Sequence, residues 1–378
     1  MSRLNELLAR LCPDGVAFRH LGSLVRIRNG RDHKSLASGD VPVYGTGGIM
    51  AYVDAAAHPG PSVLIPRKGS LDKLYYVSSP FWTIDTIFYT EVGTELEPKF
   101  LYYFLQTMHL EDLNQAGGVP SLTQSLLNSL EIPAPPLEVQ REIVRILDQF
   151  TELEAELEAE LEARRVQYAH YRDALFLEVP ARRLAMGDVG TFTRGRRFIK
   201  NDYVDEGIGA IHYGEIYTRY GTATTKAHQR IREDLRPQLR FAQPGDLIIA
   251  AVGETVEDVG KAVAWLGQEP VAYHDDCFAF SHYLDPKFVS HWFQTTEFHS
   301  IKEQYVSRAK VKRLSGSDLA RIPIRVPSEA DQRRIVGTLD SLDALVNDIE
   351  IGLPAEITAR RQQYEYYRDK LLTFEEKR

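Results

Sequence analysis

The sequence predicts an α+β protein made of two similar α/β domains, separated by a pair of long antiparallel helices. Three observations lead to this prediction: an internal repeat, short apolar runs in the front half of each copy, and apolar stripes at helical spacing in the back half. The chain has 378 residues, of which 43% are hydrophobic and 26% charged. This composition is typical of globular domains with ordinary cores, and the length allows two or three of them.

The internal repeat is clearest in two blocks. The segment EVQREIVRILD at 138–148 returns as ADQRRIVGTLD at 330–340, with six of eleven positions identical. The segment ARRVQYAHYRDAL at 163–175 returns as ARRQQYEYYRDKL at 359–371, with nine of thirteen identical. The chain therefore consists of two copies of one unit, a pseudo-twofold repeat with divergent front halves and similar back halves.

The front half of each copy combines short strands with helix. Turns rich in glycine separate short apolar runs, which favours strands, and an aromatic segment that follows them favours a core helix. The predicted strands cover 41–44, 62–66 and 83–90 in the first copy and 209–213, 246–252 and 277–283 in the second. The predicted helices cover 99–108 and 287–298. Such a mixture is typical of the α+β class.

The back half of each copy predicts a long helix, because apolar residues recur every three, four or seven positions. Two such helices pack most simply on each other as an antiparallel pair. The alternative is that each helix only covers its own domain. Pro354 should kink or interrupt the second helix. The first helix contains ELEA three times, at 152–163, which places rows of glutamates on its surface.

The repeat divides the chain into front domains at 1–134 and 179–323 and long helices at 135–178 and 324–378. The formal net charge is −8, but its distribution is uneven. Residues 135–180 hold 5 basic and 11 acidic side chains, whereas residues 181–323 hold 20 and 18. The whole-chain charge therefore does not exclude nucleic acid as a partner of the front domains.

The sequence also bears on compartment. It contains no apolar run of 18 residues, and its first residues lack the apolar core of a secretory signal. Cys12 and Cys277 are the only cysteines, too few for a disulfide framework or a thiolate zinc site. We expect a cytoplasmic protein.

Sequence motifs for catalysis are missing. There is neither a GxxxxGKS or GxxxxGKT phosphate loop nor an HExxH zinc motif, and the 11 histidines follow no metal-ligand spacing. A nuclease site built from Asp246, Glu257, Asp258 and Lys261 would have the wrong acid–x–Lys spacing. We therefore expect no catalytic residue and no metal site in this chain.

Basic residues cluster in both front domains and are the candidates for DNA contacts. Arginine and lysine neutralise phosphates, and arginine also binds guanine edges. Gly30 and Gly195 occupy equivalent places, where glycine lets backbone amides approach a phosphate. The alternative is that these loops are ordinary solvated surface. The candidates are Arg26, Arg28, Arg31, Lys34, Arg67, Lys68, Lys73, Arg194, Arg196, Arg197, Lys200, Arg219, Lys226, Lys261, Arg308, Lys310, Lys312 and Arg313.

The repeated segments carry a family resemblance. The blocks IPAPPLEVQREIVRILD and IPIRVPSEADQRRIVGTLD, the helix ends that follow them, and the opening LCPDGVAFRHLGSL resemble the specificity subunit of type I restriction–modification enzymes. The resemblance covers essentially the whole chain. It implies a non-catalytic DNA-binding subunit whose two target-recognition domains each read half of a bipartite sequence. The helices would act as a spacer that sets the gap, and the ELEA region is similar to the family's variable spacer repeats.

The resemblance also implies partners. Two methyltransferase subunits would use S-adenosylmethionine to methylate adenine N6 in double-stranded DNA, and two restriction subunits would add ATP- and Mg-dependent cleavage. This chain itself would bind no cofactor. Tyr168, Tyr171, Tyr364 and Tyr367 are candidates for methyltransferase docking, or equally for the seam between the helices. Two alternatives stay open: the recognition module of a type II-like restriction–modification assembly, and a protein-binding scaffold.

Overall fold

The computed structural model describes residues 2–114, 118–307, 309–348 and 351–377. The chain forms two compact units: unit 1 comprises Met1–Glu156 with Ile357–Arg378, and unit 2 comprises Leu157–Glu356. The division lies inside the helix Leu137–Glu178, which is continuous over 42 residues and contributes to both units. Across the ranges described, none of the helices combines the length and the apolarity needed to span a membrane.

Unit 1 is rich in short strands. Its helices, besides its parts of the long ones, are Ser2–Leu11, Leu21–Leu24, Pro98–Gln106, Gln124–Asn128 and the 3₁₀-helix Leu110–Leu113. Its strands are Phe18–His20, Val25–Asn29, Val41–Gly45, Gly48–Val53, Ser62–Pro66, Tyr75–Val77, Trp82–Thr83, Ile87–Val92 and Glu131–Pro133. Unit 1 also contains the first part of Leu137–Glu178 and most of the helix Leu353–Leu372.

The strands of unit 1 form one four-stranded, one three-stranded and one two-stranded sheet. The four-stranded sheet is antiparallel, in the order Val25–Asn29, Ile87–Val92, Ser62–Pro66, Tyr75–Val77. In the three-stranded sheet, Val41–Gly45 runs antiparallel to Gly48–Val53 and parallel to Trp82–Thr83. The two-stranded sheet pairs Phe18–His20 with Glu131–Pro133.

The core of unit 1 lies between the four-stranded sheet and the helix Pro98–Gln106. Phe88, Phe100 and Leu101 are buried there. Each such side chain stabilises the fold by roughly 1.5–3 kcal/mol relative to its exposed state. The aromatic residues of the predicted helix 99–108 are therefore core residues, as the sequence indicates.

Within unit 1 the two long helices pack antiparallel. The ring of Phe150 contacts those of Tyr364 and Tyr367, and Arg361 donates to Glu154. The contacts pair later residues of the first helix with earlier residues of the second, so the two helices run in opposite directions. The rings of Phe150 and Tyr367 are stacked, with centroids 5.6 Å apart. The predicted antiparallel pair is confirmed over this stretch.

The segment after the helix Leu353–Leu372 forms hydrogen bonds with Val16 in the first part of unit 1. The amide of Val16 donates to the carbonyl of Glu375 at 2.8 Å, and the amide of Lys377 donates to the carbonyl of Val16 at 2.9 Å. The ring of Phe374 packs against that of Phe100, with centroids 6.3 Å apart. The segment after the last helix therefore completes unit 1 by non-covalent contacts.

Unit 2 repeats this plan with more strands. Its short helices are Met186–Val189, Tyr213–Thr218, Pro286–Trp292, Thr296–Lys302, Gly316–Arg321 and the 3₁₀-helices Lys200–Asp202 and Glu233–Gln238. Its longer helix is Glu329–Asn347. Its strands are Ala181–Ala185, Gly190–Arg194, Tyr203–Ile211, Ala223–Thr224, Gln229–Ile231, Phe241–Ala242, Leu247–Ala250, Val252–Gly253, Ala262–Trp265, Val271–Tyr273, Cys277–His282, Lys312–Arg313 and Pro323–Pro327.

The strands of unit 2 form two larger sheets and two strand pairs. The five-stranded sheet has the order Gly190–Arg194, Cys277–His282, Leu247–Ala250, Ala262–Trp265, Ala223–Thr224. The four-stranded sheet has the order Gln229–Ile231, Tyr203–Ile211, Val271–Tyr273, Phe241–Ala242. Ala181–Ala185 pairs with Pro323–Pro327, and Val252–Gly253 with Lys312–Arg313. Helices beside mixed sheets in both units confirm the α+β class and the two similar domains.

Several predicted elements differ in extent from the structure. The strand predicted at 83–90 is divided between Trp82–Thr83 and Ile87–Val92, because the amide of Ile87 donates back to the carbonyl of Ile84 and closes a turn. The helix predicted at 287–298 is divided after Trp292, because Thr295 accepts from the amide of Phe298 and caps a second helix.

The region 324–378 is not one long helix. It begins within the strand Pro323–Pro327, and its helical part is divided into Glu329–Asn347 and Leu353–Leu372. Pro354 stands in the first turn of the second helix, where its ring is tolerated. The interruption predicted at this proline is confirmed.

Candidate nucleic-acid interface

In unit 1, segments distant in sequence meet around one turn that follows the strand Trp82–Thr83. The amide of Arg31 donates to the carbonyl of Thr83 at 2.7 Å, and the amide of Arg67 donates to that of Thr86 at 2.9 Å. The amide of Leu122 in turn donates to the carbonyl of Arg67 at 2.9 Å. We call the segments 30–31, 66–69, 83–87 and 120–122 the strand-end frame of unit 1.

Unit 2 contains the same arrangement. The amide of Arg196 donates to the carbonyl of Tyr273 at 3.2 Å, and the amide of Ala251 donates to that of Asp276 at 2.8 Å. The amide of Leu314 donates to the carbonyl of Ala251 at 3.0 Å. The strand-end frame of unit 2 therefore consists of the segments 194–196, 250–253, 273–277 and 312–314.

In both units the turn of the frame forms an equivalent hydrogen bond with the neighbouring parallel strand. In unit 1 the amide of Ile84 donates to the carbonyl of Tyr44 at 3.0 Å. In unit 2 the amide of His274 donates to the carbonyl of Ile211 at 3.1 Å. The repeat detected in the back halves thus extends, at the level of the backbone, into front halves whose sequences have diverged.

Glycine is required at one position of each frame. A Cβ on Gly30 would lie 1.9 Å from the carbonyl oxygen of Ile84, and a Cβ on Gly195 would lie 2.1 Å from that of His274. A side chain at either place would force the strand end away from the turn. The two glycines allow the close approach that brings the arginine after each of them to the frame.

The frame of unit 1 brings together two basic segments that the sequence keeps apart. Arg31 and Lys68 are exposed there, and Arg67 lies over the ring of Phe88 while donating to the carbonyl of Asp85. Lys34 and Lys73 are exposed in the loops that follow.

Two further candidates of unit 1 lie on the exposed face of the strand Val25–Asn29. The guanidinium of Arg28 forms two hydrogen bonds with Glu91, at 3.0 and 3.1 Å. Glu91 thus engages the guanidinium of Arg28, whereas Arg26 is exposed on the same strand.

The frame of unit 2 likewise joins two basic segments. Arg194 and Arg196 come from the first segment, and Lys312 and Arg313 from the last. Arg197, Lys200 and Lys310 are exposed in the flanking residues. Arg308 lies outside the described residues.

The other candidates of unit 2 lie outside its frame. Lys261 pairs with Asp258 at 2.8 Å and lies over the ring of Tyr217. Arg219 is exposed at the end of the helix Tyr213–Thr218. Lys226 lines an open cavity of about 640 Å³ together with Trp265.

His274, Asp275 and Asp276 place three possible ligand atoms within 4.8 Å of one another. The imidazole of His274 is already engaged, since Nδ1 accepts from the amide of Asp276 at 3.2 Å and Nε2 lies 3.2 Å from the carbonyl of Phe198. Arg194 and Arg313 lie 3.7 and 3.8 Å from the two carboxylates. The cluster therefore shapes the frame and holds its arginines.

His212 packs against this cluster, with its ring centroid 4.5 Å from that of His274. Burial lowers the pKa of His212 to about 4, and the neighbouring His274 lowers it as well. Its Nδ1 accepts from the amide of Gly214 and caps the helix Tyr213–Thr218. A neutral histidine thus supports the edge of the frame.

The sequence of this chain matches the model of a known protein family. Residues 13–163 and 183–359 match the model described as the type I restriction modification DNA specificity domain. The chain belongs to this family. Each of the two matched regions contains one strand-end frame.

Relatives with known names agree with this membership. The EcoR124I/EcoR124II type I restriction enzyme specificity subunit of Escherichia coli is 30% identical over 292 residues, which cover 73% of this chain and 70% of the relative. A Haemophilus influenzae protein with the provisional name of type I restriction enzyme specificity subunit is 29% identical over 350 residues, with 89% of each chain covered. The chain is a DNA-sequence specificity subunit of the type I class.

Two solved structures share the fold. One is a chain of a structure that describes complex assembly and conformational transition of the type I R-M system. It has a TM-score of 0.64 at 18% identity, and the match covers 95% of this chain and 98% of that one. The type I S subunit from M. genitalium has a TM-score of 0.55 at 18% identity, covering 94% and 96%. These likenesses support the arrangement of two similar α+β domains.

Within this specificity subunit, the tyrosines predicted for docking or for a helix seam lie in different surroundings. Tyr168 is buried in unit 2, with its hydroxyl 3.3 Å from Nδ1 of His291. Tyr364 and Tyr367 pack on Phe150 in the helix seam of unit 1. Tyr171 is 47% exposed. Exposure thus leaves Tyr171 as the most accessible of the four.

Lys302 is a residue of the specificity subunit that the sequence did not single out. Its Nζ donates to the carbonyls of Glu257 and Val259, at 3.0 and 2.6 Å, although the side chain is only 1% exposed. Burial lowers the pKa of Lys302 to about 8. It anchors the loop that carries Lys261, and a lone lysine in a helix gives no sequence signal for such a role.

Proposed function

We propose that each unit of this specificity subunit reads one half of a bipartite DNA sequence through its strand-end frame. The observation that carries the proposal is the occurrence of the same backbone frame twice in one chain. Each frame gathers arginine and lysine side chains from separate segments. Phosphate contacts by such residues fix the register of a protein on DNA, and contacts to base edges supply the sequence preference.

The chain would direct chemistry that its partners perform. In this proposal two methyltransferase subunits use S-adenosylmethionine to methylate adenine N6, and two restriction subunits use ATP and Mg. The specificity subunit contributes recognition and no catalytic step. Family membership supports this division of labour, as does the use of the His274 cluster in internal contacts. Of the four candidate tyrosines, Tyr171 is the best suited to methyltransferase docking because of its exposure.

The continuous helix Leu137–Glu178 supports the spacer role in the proposal. It contributes residues to both units, and a helix of 42 residues corresponds to about 60 Å at 1.5 Å per residue. The gap between half-sites would depend on its length.

A methylation map tests the proposal. The chain is co-expressed with its methyltransferase subunit, and N6-methyladenine is mapped across the DNA of the cells. We expect a split motif with a fixed gap, which disappears when the specificity subunit is omitted. A continuous motif, or equal methylation without this chain, would overturn the proposal.

A further inference from the structure

The hairpin of Val41–Gly45 and Gly48–Val53 exposes three large apolar side chains beside the strand-end frame of unit 1. Ile49, Met50 and Tyr52 have exposed fractions of 49%, 56% and 55%. Large apolar side chains that cluster at the surface mark binding sites more often than scattered ones do.

A β-bulge explains why two neighbouring side chains are both exposed. Val43 pairs with Ala51 and Tyr44 pairs with Ile49, so Met50 is the extra residue on its strand. Side chains of a regular strand alternate between the two faces, whereas a bulge redirects a side chain and increases the local twist. The hairpin therefore presents Ile49 and Met50 together.

The hairpin is held firmly against the frame. Besides the hydrogen bond from Ile84 to Tyr44, the hydroxyl of Tyr75 donates to the carbonyl of Thr46 in the turn at 3.0 Å. The hydroxyl oxygen of Thr46 lies 3.8 Å from the position that a Cβ of Gly69 would occupy. The turn thus lies beside the loop that carries Lys68.

In unit 2 the strand Gln229–Ile231 pairs antiparallel with Tyr203–Ile211, as Gly48–Val53 pairs with Val41–Gly45, but a longer connection that contains a helix replaces the tight turn. After Ile211, the equivalent of Tyr44, the chain continues with His212 and the helix Tyr213–Thr218. The hydroxyl of Tyr217 donates to the carbonyl of Val252 and fixes this helix to the frame. The two frames are alike, but the connection beside each frame differs, a tight turn in unit 1 and a helix in unit 2. Such a difference is what two domains that read different sequences require.

We propose that the hairpin is the base-reading element of unit 1, and that Met50 and Tyr52 contact base edges in the major groove, thymine methyl groups above all. The proposal rests on the DNA-reading function proposed above. The major groove admits a two-stranded β-ribbon, and apolar side chains contact the thymine methyl group. Two residues along a strand span about 7 Å, close to two base-pair steps.

The surroundings of the hairpin favour DNA over a protein as its occupant. Arg31 and Lys68 are exposed in segments of the frame, and Lys73 is exposed in the loop that follows the segment 66–69. Such residues contact the phosphates on either side of a groove, while the apolar side chains between them face the bases.

The test compares methylation maps of the specificity subunit co-expressed with its methyltransferase subunit. The variants are Met50→Gln and Tyr52→Ala, both at exposed positions. The matched control is Tyr283→Ala, because Tyr283 is 66% exposed beyond the strand Cys277–His282 of unit 2. We expect each hairpin variant to lose about tenfold in discrimination at one or two neighbouring positions of one half-site. The other half-site and the control should match the wild type.

The outcomes separate this inference from the function on which it rests. A wild-type map without a split motif overturns the proposed function and this inference with it. A split wild-type motif that both hairpin variants leave unchanged overturns the inference alone. Loss of methylation together with loss of co-purifying methyltransferase also overturns it, because the hairpin would then bind a protein.

Discussion

The hydroxyl of Tyr103 donates a hydrogen bond to the carboxylate of Asp148 at 2.6 Å. Asp148 also accepts from Nζ of Lys99 at 2.8 Å, so one aspartate of the long helix holds two side chains of the helix Pro98–Gln106. In unit 2 the aspartate at the matching position, Asp340, lies 3.1 Å from Nε2 of His291. The anchoring of front domain to long helix is therefore repeated, with tyrosine exchanged for histidine.

We expect Asp148→Asn to lower the free energy of unfolding of unit 1 by about 1–3 kcal/mol, because the charged acceptor of two hydrogen bonds is lost. Urea unfolding of the purified chain measures the change. Glu152→Gln, an exposed exchange of the same chemistry on the same helix, should alter it by less than about 0.5 kcal/mol. Equal losses in both variants would contradict the anchoring role.

The close approach at Gly30 leads to a second prediction. In Gly30→Ala the new methyl group would meet the carbonyl of Ile84, so the strand end must shift and displace Arg31. We expect at least tenfold weaker binding to DNA that carries the recognised sequence, measured by titration of the complex with methyltransferase. Gly221→Ala is the control, because a Cβ there has no neighbour within 4 Å. Unchanged affinity in Gly30→Ala would show that the frame does not position a DNA ligand.

The exposed guanidinium of Arg31 should contact phosphate. We expect Arg31→Ala to reduce the slope of log affinity against log salt by about 1, since one phosphate contact and its released counterion are lost. Arg28→Ala should reduce the slope by less, because Glu91 already neutralises Arg28. The measurement is a DNA titration at several salt concentrations. A larger effect at Arg28 would place the DNA on the strand Val25–Asn29 instead of the frame.

Much of the fold could be predicted because it depends on local periodicity and on the repeat. Helical spacing of apolar residues located the helix Leu137–Glu178, and the rigid ring of Pro354 marked the interruption of the second helix. The repeated block at 138–148 also contains Gln140, a core polar residue. Its amide group accepts from the amide of Glu97 and donates to the carbonyl of Pro135, a role that only the structure shows.

The candidate site could be predicted only in part. Charge clusters pointed to Arg31 and Arg67, but their meeting at one turn depends on long-range strand order, which periodicity does not encode. Met50 lies on a strand in which a bulge breaks the alternation of side chains between the two faces. A period of two in the sequence therefore does not predict its exposure. The DNA-contact candidates are selected by their positive charge, and this criterion leaves out the apolar side chains of the hairpin.

Unit 2 should lose stability in acid because of His212. Its pKa is lowered to about 4 by burial and by His274, whereas the unfolded chain has the ordinary value near 6.5. Between these values the unfolded state binds a proton that the folded state does not bind. The free energy of unfolding therefore falls as the pH falls from 6.5 to 4.

The variant His212→Asn isolates this contribution. Asparagine keeps a side-chain acceptor for the amide of Gly214, so the helix cap is retained while the titrating group is removed. We expect the loss of unfolding free energy between pH 6.5 and 4.5 to be smaller in the variant by roughly 1–3 kcal/mol. Urea unfolding at both pH values measures it, with pH 7.5 as the reference. Parallel pH profiles would contradict the assignment.

The length of the helix Leu137–Glu178 should set the gap between the half-sites. Inserting one more ELEA after Ala163 adds about 6 Å to the helix, which corresponds to at most two base pairs. We expect the methylation map of this variant to show the same two half-sites with a longer gap. Glu156→Gln, which changes charge and keeps the length, should leave the gap as it is. If the inserted variant methylates with the wild-type gap, the helix does not act as a spacer.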